Sequence, residues 1–558
     1  MTLTQTTLAS LKRSNSVQEN SSSKLAHKLP RRDSNTDCTS KQTSHLHSGI
    51  KPSGNLLFNP SLSIRQRGLG ALDAFSDALL LGIIGLLTPK DILLLGSCSK
   101  ALFAYCAHQP IWKDLFVRAA NGKLDGWAGT WRKTYLQEFT PTGSPRRNVG
   151  RYMRPTPVVD CTGLFSDELY QPYLCANTDV SRYFYPQSLR EGASRLNMKR
   201  VEAESIAHEF AALSAEPFIV TNALSHLEWP AFCCVDSRGE PIWELSNLLQ
   251  KYSNVSFRAE AFDCTLQTYC AYAENCAEDD APLYLFDSRF VEKTRMGMDY
   301  TPPSFLSEDL FQLMGEKRPD YRWLIVGPAK SGSTFHKDPN ATSAWNAVIT
   351  GSKGIVFQFF IRIILLTPFL WKAGLCFHQI YALQESMFLR MKQRLRLHSH
   401  SRPQQEWFMS YFDGAWSEYG RGTGKMRIGV CRAGEVVYVP SGWWHLVVNL
   451  EPSVAVTQNF ASEHELTNVL QFMRDKPDQT SGWSEDIACN DLYEIFCDVL
   501  RKERPEVLER ALAALNKAPR KSSGEQQYVW DQVKKSTESE GNCGFSFGFD
   551  VEGGDEEE

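Results

Sequence analysis

Along the first 65 positions apolar residues follow no pattern: Ser, Thr, Asn, Lys and Arg dominate and aromatics are few. Such a stretch cannot bury enough surface to offset the entropy of ordering, so residues 1–65 are expected to be a disordered tail. The pattern changes at Leu72. Residues 72–116 read LDAFSDALLLGIIGLLTPKDILLLGSCSKALFAYCAHQPIWKDLF, and apolar positions recur at helical spacing through Leu79, Ile83 and Leu87. Thr88-Pro89-Lys90-Asp91 restarts a helix, with Thr88 as N-cap and Pro89 at the first helical position. A third helical stretch ends near Ile111-Trp112, which predicts three short helices packed on one another within 66–135. Gly122, Gly126, Gly129, Gly143 and Pro145 then mark a linker over 120–150, partly ordered by Trp127 and Trp131.

From about residue 155 the chain reads as one large domain reaching about 475. Short β-rich runs (217–220 and 283–286) alternate with helical stretches at 198–213 and 243–251, which is an α+β pattern. Residues 491–516 predict two helices broken at Pro505, within a C-terminal helical segment at 476–520. From Lys521 to Glu558 the sequence is polar, then Gly/Phe-rich, then acidic, and a disordered tail is expected. No internal repeat is visible.

Composition narrows the class. With 558 residues and 42% apolar content the chain can build a large core, and its net charge of −4 gives no global field toward nucleic acid or membrane. Its 15 cysteines include no C-x-x-C pair, which argues against a disulfide framework or zinc site and for a reducing compartment. The opening MTLTQTTLASLKRSNS lacks the apolar core of a signal peptide. Lys28-Leu29-Pro30-Arg31-Arg32 reads either as a nuclear import signal or as a solvated basic run. The apolar run 355–371 falls short of the ~20 residues of a membrane span and contains Arg362 and Pro368.

The candidate chemistry lies in two strand-like segments. In RWLIVGPAKSGSTFHKDPNATSAWNAVITGSKG (322–354), His336 and Asp338 are one residue apart, and positions i and i+2 of a strand face the same side. A second histidine, His445, lies in EVVYVPSGWWHLVV (435–448). Two histidines and one carboxylate are the facial ligand set of non-haem Fe(II) oxygenases, which leaves open positions for a co-substrate and O2. Alone, H-x-D recurs by chance. Lys353 adds to it: it follows His336 by 17 residues, past a turn at 350–352, and could return on the neighbouring strand. Its ammonium would suit the distal carboxylate of 2-oxoglutarate. Thr457, 12 residues after His445, could offer a hydroxyl to the same carboxylate. Trp443 and Trp444 read either as a shield beside the metal or as plain core aromatics.

These segments resemble the JmjC oxygenases, and within them the bifunctional arginine demethylases and lysyl-hydroxylases. The resemblance spans about 155–475 and is carried by GLFSDELYQPYLCA (163–176), DDAPLYLFDS (279–288), 310–354 and AGEVVYVPSGWWHLVVNLEPSVAVTQNFAS (433–462). It implies a double-stranded β-helix, a jelly-roll barrel, with Fe(II) on His336, Asp338 and His445. It further implies 2-oxoglutarate contacts at Lys353, Thr457, Tyr284 and Asn346, a hydroxyl at Ser333 and a pocket residue at Asn449. The implied reaction couples decarboxylation of 2-oxoglutarate by O2 to oxidation of a substrate C–H bond, giving hydroxylysine or demethylated arginine or lysine. The implied substrate is a Lys- or Arg-containing nuclear protein, such as a histone or an Arg-rich RNA-processing factor. Expected localisation is the nucleus, with the cytoplasm second, and a homo-oligomer is compatible with this reading. Residues 72–116 resemble an F-box, through the order of an apolar helix, L-x-P-K-D and I-W-x-x-L, which implies docking on a Skp1-type adapter; Leu72-Asp73 replaces the usual Leu-Pro. That supports an alternative function, a ubiquitin-ligase receptor with a non-catalytic barrel. A cupin-fold metalloenzyme without 2-oxoglutarate would leave Lys353 and Thr457 without a task. The resemblance stops just after Lys353 and resumes at Trp407-Phe408, so part of 355–403 is expected to be translated intron.

Overall fold

The computed structural model describes residues 48–58, 63–139, 159–185, 195–306, 308–358, 404–420 and 424–517. The cluster Lys28–Arg32, most of the anomalous run (359–403) and the 521–558 tail lie outside these residues.

The N-terminal module begins with α1 (Arg65–Leu69), followed by α2 (Asp77–Gly85), α3 (Pro89–Gly96), α4 (Lys100–Cys106) and α5 (Gln109–Ala119). The sequence predicted three helices here; the module also has the short α1 and a helix capped by Ser99, α4. Ser76, Thr88 and Ser99 each accept a hydrogen bond from the backbone N–H three residues on, which satisfies an otherwise orphaned donor and starts α2, α3 and α4. Trp112 lies inside α5 rather than at a helix end, fully buried, its indole donating to the Cys106 carbonyl at 2.8 Å.

Two expectations are corrected. Within the predicted linker, residues 131–139 form a helix, α6 (Trp131–Phe139), because Trp131 is buried against Phe116 and Phe262. Within the predicted N-terminal tail, residues 48–58 are ordered. Ile50 is buried, Lys51 N–H donates to the Leu164 carbonyl, and Ser166 N–H donates to the Lys51 carbonyl. Non-local pairing supplies what local composition lacks. The helices also dock on the larger domain: Trp131 Nε1 donates to Asp279 at 3.0 Å, and Lys113 Nζ donates to the Ala281 carbonyl at 3.2 Å and lies 3.9 Å from Glu260.

The larger domain contains β1 (Lys199–Glu202), β2 (Phe218–Thr221), β3 (Ser256–Ala259), β4 (Phe262–Thr265), β5 (Leu285–Asp287), β6 (Arg322–Gly327) and β7 (Gly332–His336). It continues with β8 (Ser343–Thr350), β9 (Ser352–Gln358), β10 (Met426–Arg432), β11 (Val436–Val439), β12 (Trp444–Asn449) and β13 (Ser453–Phe460). These form a nine-stranded sheet, β1-β2-β11-β8-β13-β6-β5-β3-β4, and a four-stranded sheet, β10-β9-β12-β7. Ile219, Ala344, Val348 and Val437 of the first meet Ile355, Phe357 and Cys431 of the second, so the sheets share an interior, as in the expected jelly-roll. Predicted helix 198–213 divides into β1 and a helix at Ala203–Leu213; helices Leu492–Glu503 and Pro505–Lys517 flank Pro505 as predicted. Residues 355–358 are ordinary barrel strand, paired with both β10 and β12, so these four residues of the expected intron belong to the fold. No single helix among the described residues is long and apolar enough to cross a membrane.

Candidate metal centre

Strand alternation places the site. On β9, Lys353 shares a face with Ile355 and Phe357; on β8, Asn346 shares one with Ala344 and Val348. On β12, His445 and Asn449 alternate with Leu446 and Val448, which are buried on the opposite face of the sheet against Phe408 and Phe412. Each polar residue therefore points into the space between the sheets.

β7 and β12 are antiparallel neighbours in which His336 lies directly opposite His445. Their ring centroids are 4.1 Å apart. The backbone stays extended past the end of β7 (Asp338 φ −61°, ψ 151°), so the two-residue repeat brings Asp338 to the same side. Ligand atoms of His336, Asp338 and His445 lie within 4.8 Å of one another, a set that could hold one metal ion. The Nδ1 atoms of His336 and His445 lie 2.8 and 3.3 Å from the carbonyl oxygens of Thr334 and Trp443, contacts that orient the two rings.

Burial prepares these groups for a cation. It lowers the His445 pKa to about 4, against a small opposing effect of the Trp443 carbonyl, so the ring is neutral. It raises Asp338 to about 6, moderated by His336 and by a hydrogen bond from Asn459. A divalent cation would favour the charged carboxylate.

The second polar group is centred on Lys353, whose side chain has no solvent exposure. A turn at Gly351 (φ +75°) feeds β9; a Cβ there would lie 2.1 Å from the Pro452 carbonyl oxygen. Lys353 is not on the strand beside β7. It lies on β9 opposite Asn449 of β12, which carries His445. Lys353 Nζ donates to Tyr284 Oη at 3.0 Å and to Asn449 Oδ1 at 2.8 Å. Asn449 is fixed in turn: Oδ1 accepts from Ser453 Oγ at 2.8 Å and Nδ2 donates to Ser331 Oγ at 2.9 Å. No carboxylate pairs with Lys353 among the described residues, and burial lowers its pKa to about 7. A buried ammonium held by neutral oxygens lacks an anion, and the buried Asn346 Oδ1 has no partner. These residues fit a carboxylate-bearing co-substrate.

Other predicted residues stand as follows. Thr457 lies opposite Asn346 across the β13–β8 pair, and its hydroxyl donates to the Trp345 carbonyl at 2.7 Å. Ser333 lies opposite Val447 beyond a β-bulge and makes no hydrogen bond to the Lys353 group among the described residues. Trp443 is a core aromatic whose indole donates to the Ala215 carbonyl; Trp444 is half-buried under Lys337. Sequence reasoning passed over Ser331, Ser453 and Asn459. Small polar residues in strands carry no motif, and only the spacing of Ser453, four after Asn449, hinted at a shared site. A cavity of about 410 Å3 lies elsewhere, beside Trp243, Leu248 and Tyr252, where Asp236 is held by Arg238 and Asp299 accepts from the Trp243 indole.

Comparison with known proteins supplies the family. Over 502 residues the chain is 33% identical to the arginine-specific demethylase JMJ22 of Arabidopsis thaliana, covering 88% of each protein. The chain belongs to the JmjC family. The family profile described as JmjC domain, hydroxylase, matches residues 390–460, which include His445, Asn449 and Thr457. The JmjC chain is also 30% identical over 288 residues to the bifunctional arginine demethylase and lysyl-hydroxylase psr-1 of Caenorhabditis elegans, covering 48% of this chain and 60% of that protein. It is 23% identical over 209 residues to the human 2-oxoglutarate and iron-dependent oxygenase JMJD4, covering 36% and 43%.

Proposed function

We propose that this JmjC protein is an Fe(II)- and 2-oxoglutarate-dependent oxygenase acting on lysyl or N-methylated arginyl or lysyl side chains of a nuclear protein. The observation that carries the reading is one interior face bearing both a metal-competent His336–Asp338–His445 set and, four residues away along β9 and β12, a buried lysine with no counter-ion among the described residues. His336, Asp338 and His445 would hold the iron. Lys353 and Tyr284 would take the distal carboxylate of 2-oxoglutarate, with Asn346 nearby on the facing sheet and Thr457 after rotation of its hydroxyl. With iron, 2-oxoglutarate and O2 bound, the site would supply an oxidant that replaces a substrate C–H by C–OH, releasing succinate and CO2. On a lysyl carbon the alcohol persists; on an N-methyl group the resulting hemiaminal collapses to N–H and formaldehyde. The protein's share is positioning and exclusion of water: the Phe357 ring stacks on His445, with centroids 5.6 Å apart.

The test is Fe(II)-dependent turnover of 2-oxoglutarate with histone and Arg-rich peptides, with His336→Ala as control. Mass spectrometry separates hydroxylation (one oxygen gained) from demethylation (one CH2 lost). Absence of any 2-oxoglutarate-dependent product from iron-loaded protein would overturn the assignment. We further propose that part of 355–403 is missing from the mature message, since the resemblance stops just after Lys353 and resumes at Trp407-Phe408; a transcript encoding all of it would refute this.

A second reading has its own support. Helices α2 and α3 leave Leu79, Ile83, Leu86 and Leu94 exposed, an apolar surface suited to a Skp1-type adapter. Adapter retained by wild-type protein and lost with Leu86→Asp/Leu94→Asp would establish it; equal retention would reject it.

A further inference from the structure

Helices α3, α4 and α6 line a pocket of about 160 Å3, far in sequence from the metal centre, with Ile92, Leu93, Phe103, Cys106 and Ala107 as its apolar wall and Arg132 as its charged element; Ser97, the other polar side chain there, donates to the Leu94 carbonyl. The guanidinium stands 5.8 Å from the Phe103 ring centroid and 5.6 Å from that of Trp112. Among the described residues it has neither an ion pair nor a side-chain hydrogen bond; its backbone N–H donates to Gln109. That sets it apart from the other part-buried arginines among the described residues. Arg65 pairs with Asp73 and Asp77, Arg318 with Asp309, and Arg427 with Glu216. Arg132 is partly removed from water, enough to lower its pKa, without a carboxylate in return. Two aromatic faces offset part of that cost, but a guanidinium that lines a cavity without a carboxylate suits a planar anion, bound bidentately. The apolar wall adds a requirement: the anion must arrive beside a hydrophobic side chain.

One stretch of this chain has that chemistry. Residues 545–552 read FSFGFDVE, so Phe545, Phe547 and Phe549 recur at every second position and Asp550 and Glu552 follow directly. In an extended strand the three rings share one face. No Lys or Arg occurs from 536 to 558, while six acidic residues lie between 550 and 558, so no internal cation competes for the carboxylates. Residues 518–544 connect this stretch to the last described helix. At about 3.3 Å per residue they span up to roughly 90 Å, whereas a globule of ~450 residues has a radius of gyration of about 22 Å. Reach does not restrict the pairing.

We propose that the Arg132 pocket is a docking site for the Phe- and acid-bearing segment 545–552 of the same chain, a ring seating on Ile92, Leu93 and Phe103 while Asp550 or Glu552 meets the guanidinium. The pocket then becomes an intramolecular latch on the N-terminal helical module, and peptides of the same pattern on other proteins become its competitors.

Site-specific photo-crosslinking in the full chain tests this, with benzoylphenylalanine at position 547 and peptide mapping of the product. The expected cross-links fall on residues 92–107 or 131–135 of the same molecule, with a yield independent of protein concentration. Arg132→Gln should lower that yield at least fivefold. Asp550→Asn/Glu552→Gln should do the same, and because it leaves the helices untouched it separates loss of docking from loss of folding. Cross-links elsewhere on the chain, cross-links between copies that grow with concentration, or a yield unchanged by the tail variant would each overturn the proposal.

Discussion

Replacing Asn449 with Asp exchanges one NH2 for an oxygen and tests the role of Lys353. The structure gives Lys353 two neutral acceptors, Tyr284 Oη and Asn449 Oδ1, and no anion. Depression of its pKa from 10.5 to about 7 corresponds to about 5 kcal/mol of unfavourable charge burial. The sign follows from linkage: the folded lysine releases its proton before the unfolded one, so the penalty is full below about pH 7 and stability rises with pH toward 10.5. A 2-oxoglutarate carboxylate would relieve that penalty. In the variant, the carboxylate introduced at position 449 would relieve it first, from within. Two charges about 4 Å apart interact by about 4 kcal/mol at an effective dielectric constant of ~20. Against this stands the loss of the Asn449 donor to Ser331, about 1 kcal/mol, so little net change in stability is expected. Co-substrate binding, by contrast, loses its unpaired cation and meets a like charge. The dissociation constant for 2-oxoglutarate should rise roughly 100- to 1000-fold. Anaerobic calorimetry on Mn(II)-loaded protein measures it directly. For wild type, affinity should also fall about tenfold per pH unit above about 7, as free Lys353 deprotonates, and N449D should move that inflection upward. Binding by N449D within threefold of wild type would show that Lys353 does not receive the co-substrate.

Three further outcomes are expected. Metal affinity, read with Mn(II), should fall about tenfold per pH unit below about 6, because the cation must displace the proton that burial keeps on Asp338; a flat profile from pH 4 to 6 would contradict this. Gly354→Ala should cost about 1–3 kcal/mol, seen as a lowered Tm, because its Cβ would lie 2.3 Å from the Phe184 ring. Lys113→Met should cost about 1–3 kcal/mol and loosen the helical module, since the Ala281 carbonyl loses its donor and Glu260 and Asp280 lose the cation that moderates them; hydrogen exchange in α5 reports the change.

Much of the interior face was legible because strand alternation is a local rule. His336 and Asp338, Lys353 with its turn at Gly351, and the two-residue rhythm of 444–449 all follow from position in a strand. What the sequence did not show is set by partners far along the chain. Trp131 makes a helix of a Gly-rich linker by covering Phe262, and Ile50 is ordered by residues 161–166. Ser331 and Ser453 matter because they meet at one amide, a relation no local pattern carries. Lys353 was expected beside β7 and lies beside β12, because register between distant strands depends on the closed barrel.

The pairing of β7 with β12 also orders events in time. His336 and His445 are 109 positions apart in the chain yet directly opposite in the sheet. At ribosomal speeds of roughly 5–20 residues per second, the first two ligands emerge about 5–20 s before the third, or about 3–13 s if 359–403 is absent. Until β12 inserts between β9 and β7, a cation would find one imidazole and one carboxylate, a set any surface loop could match. Tight metal uptake must therefore follow barrel closure, and metal occupancy reports how many molecules have finished folding.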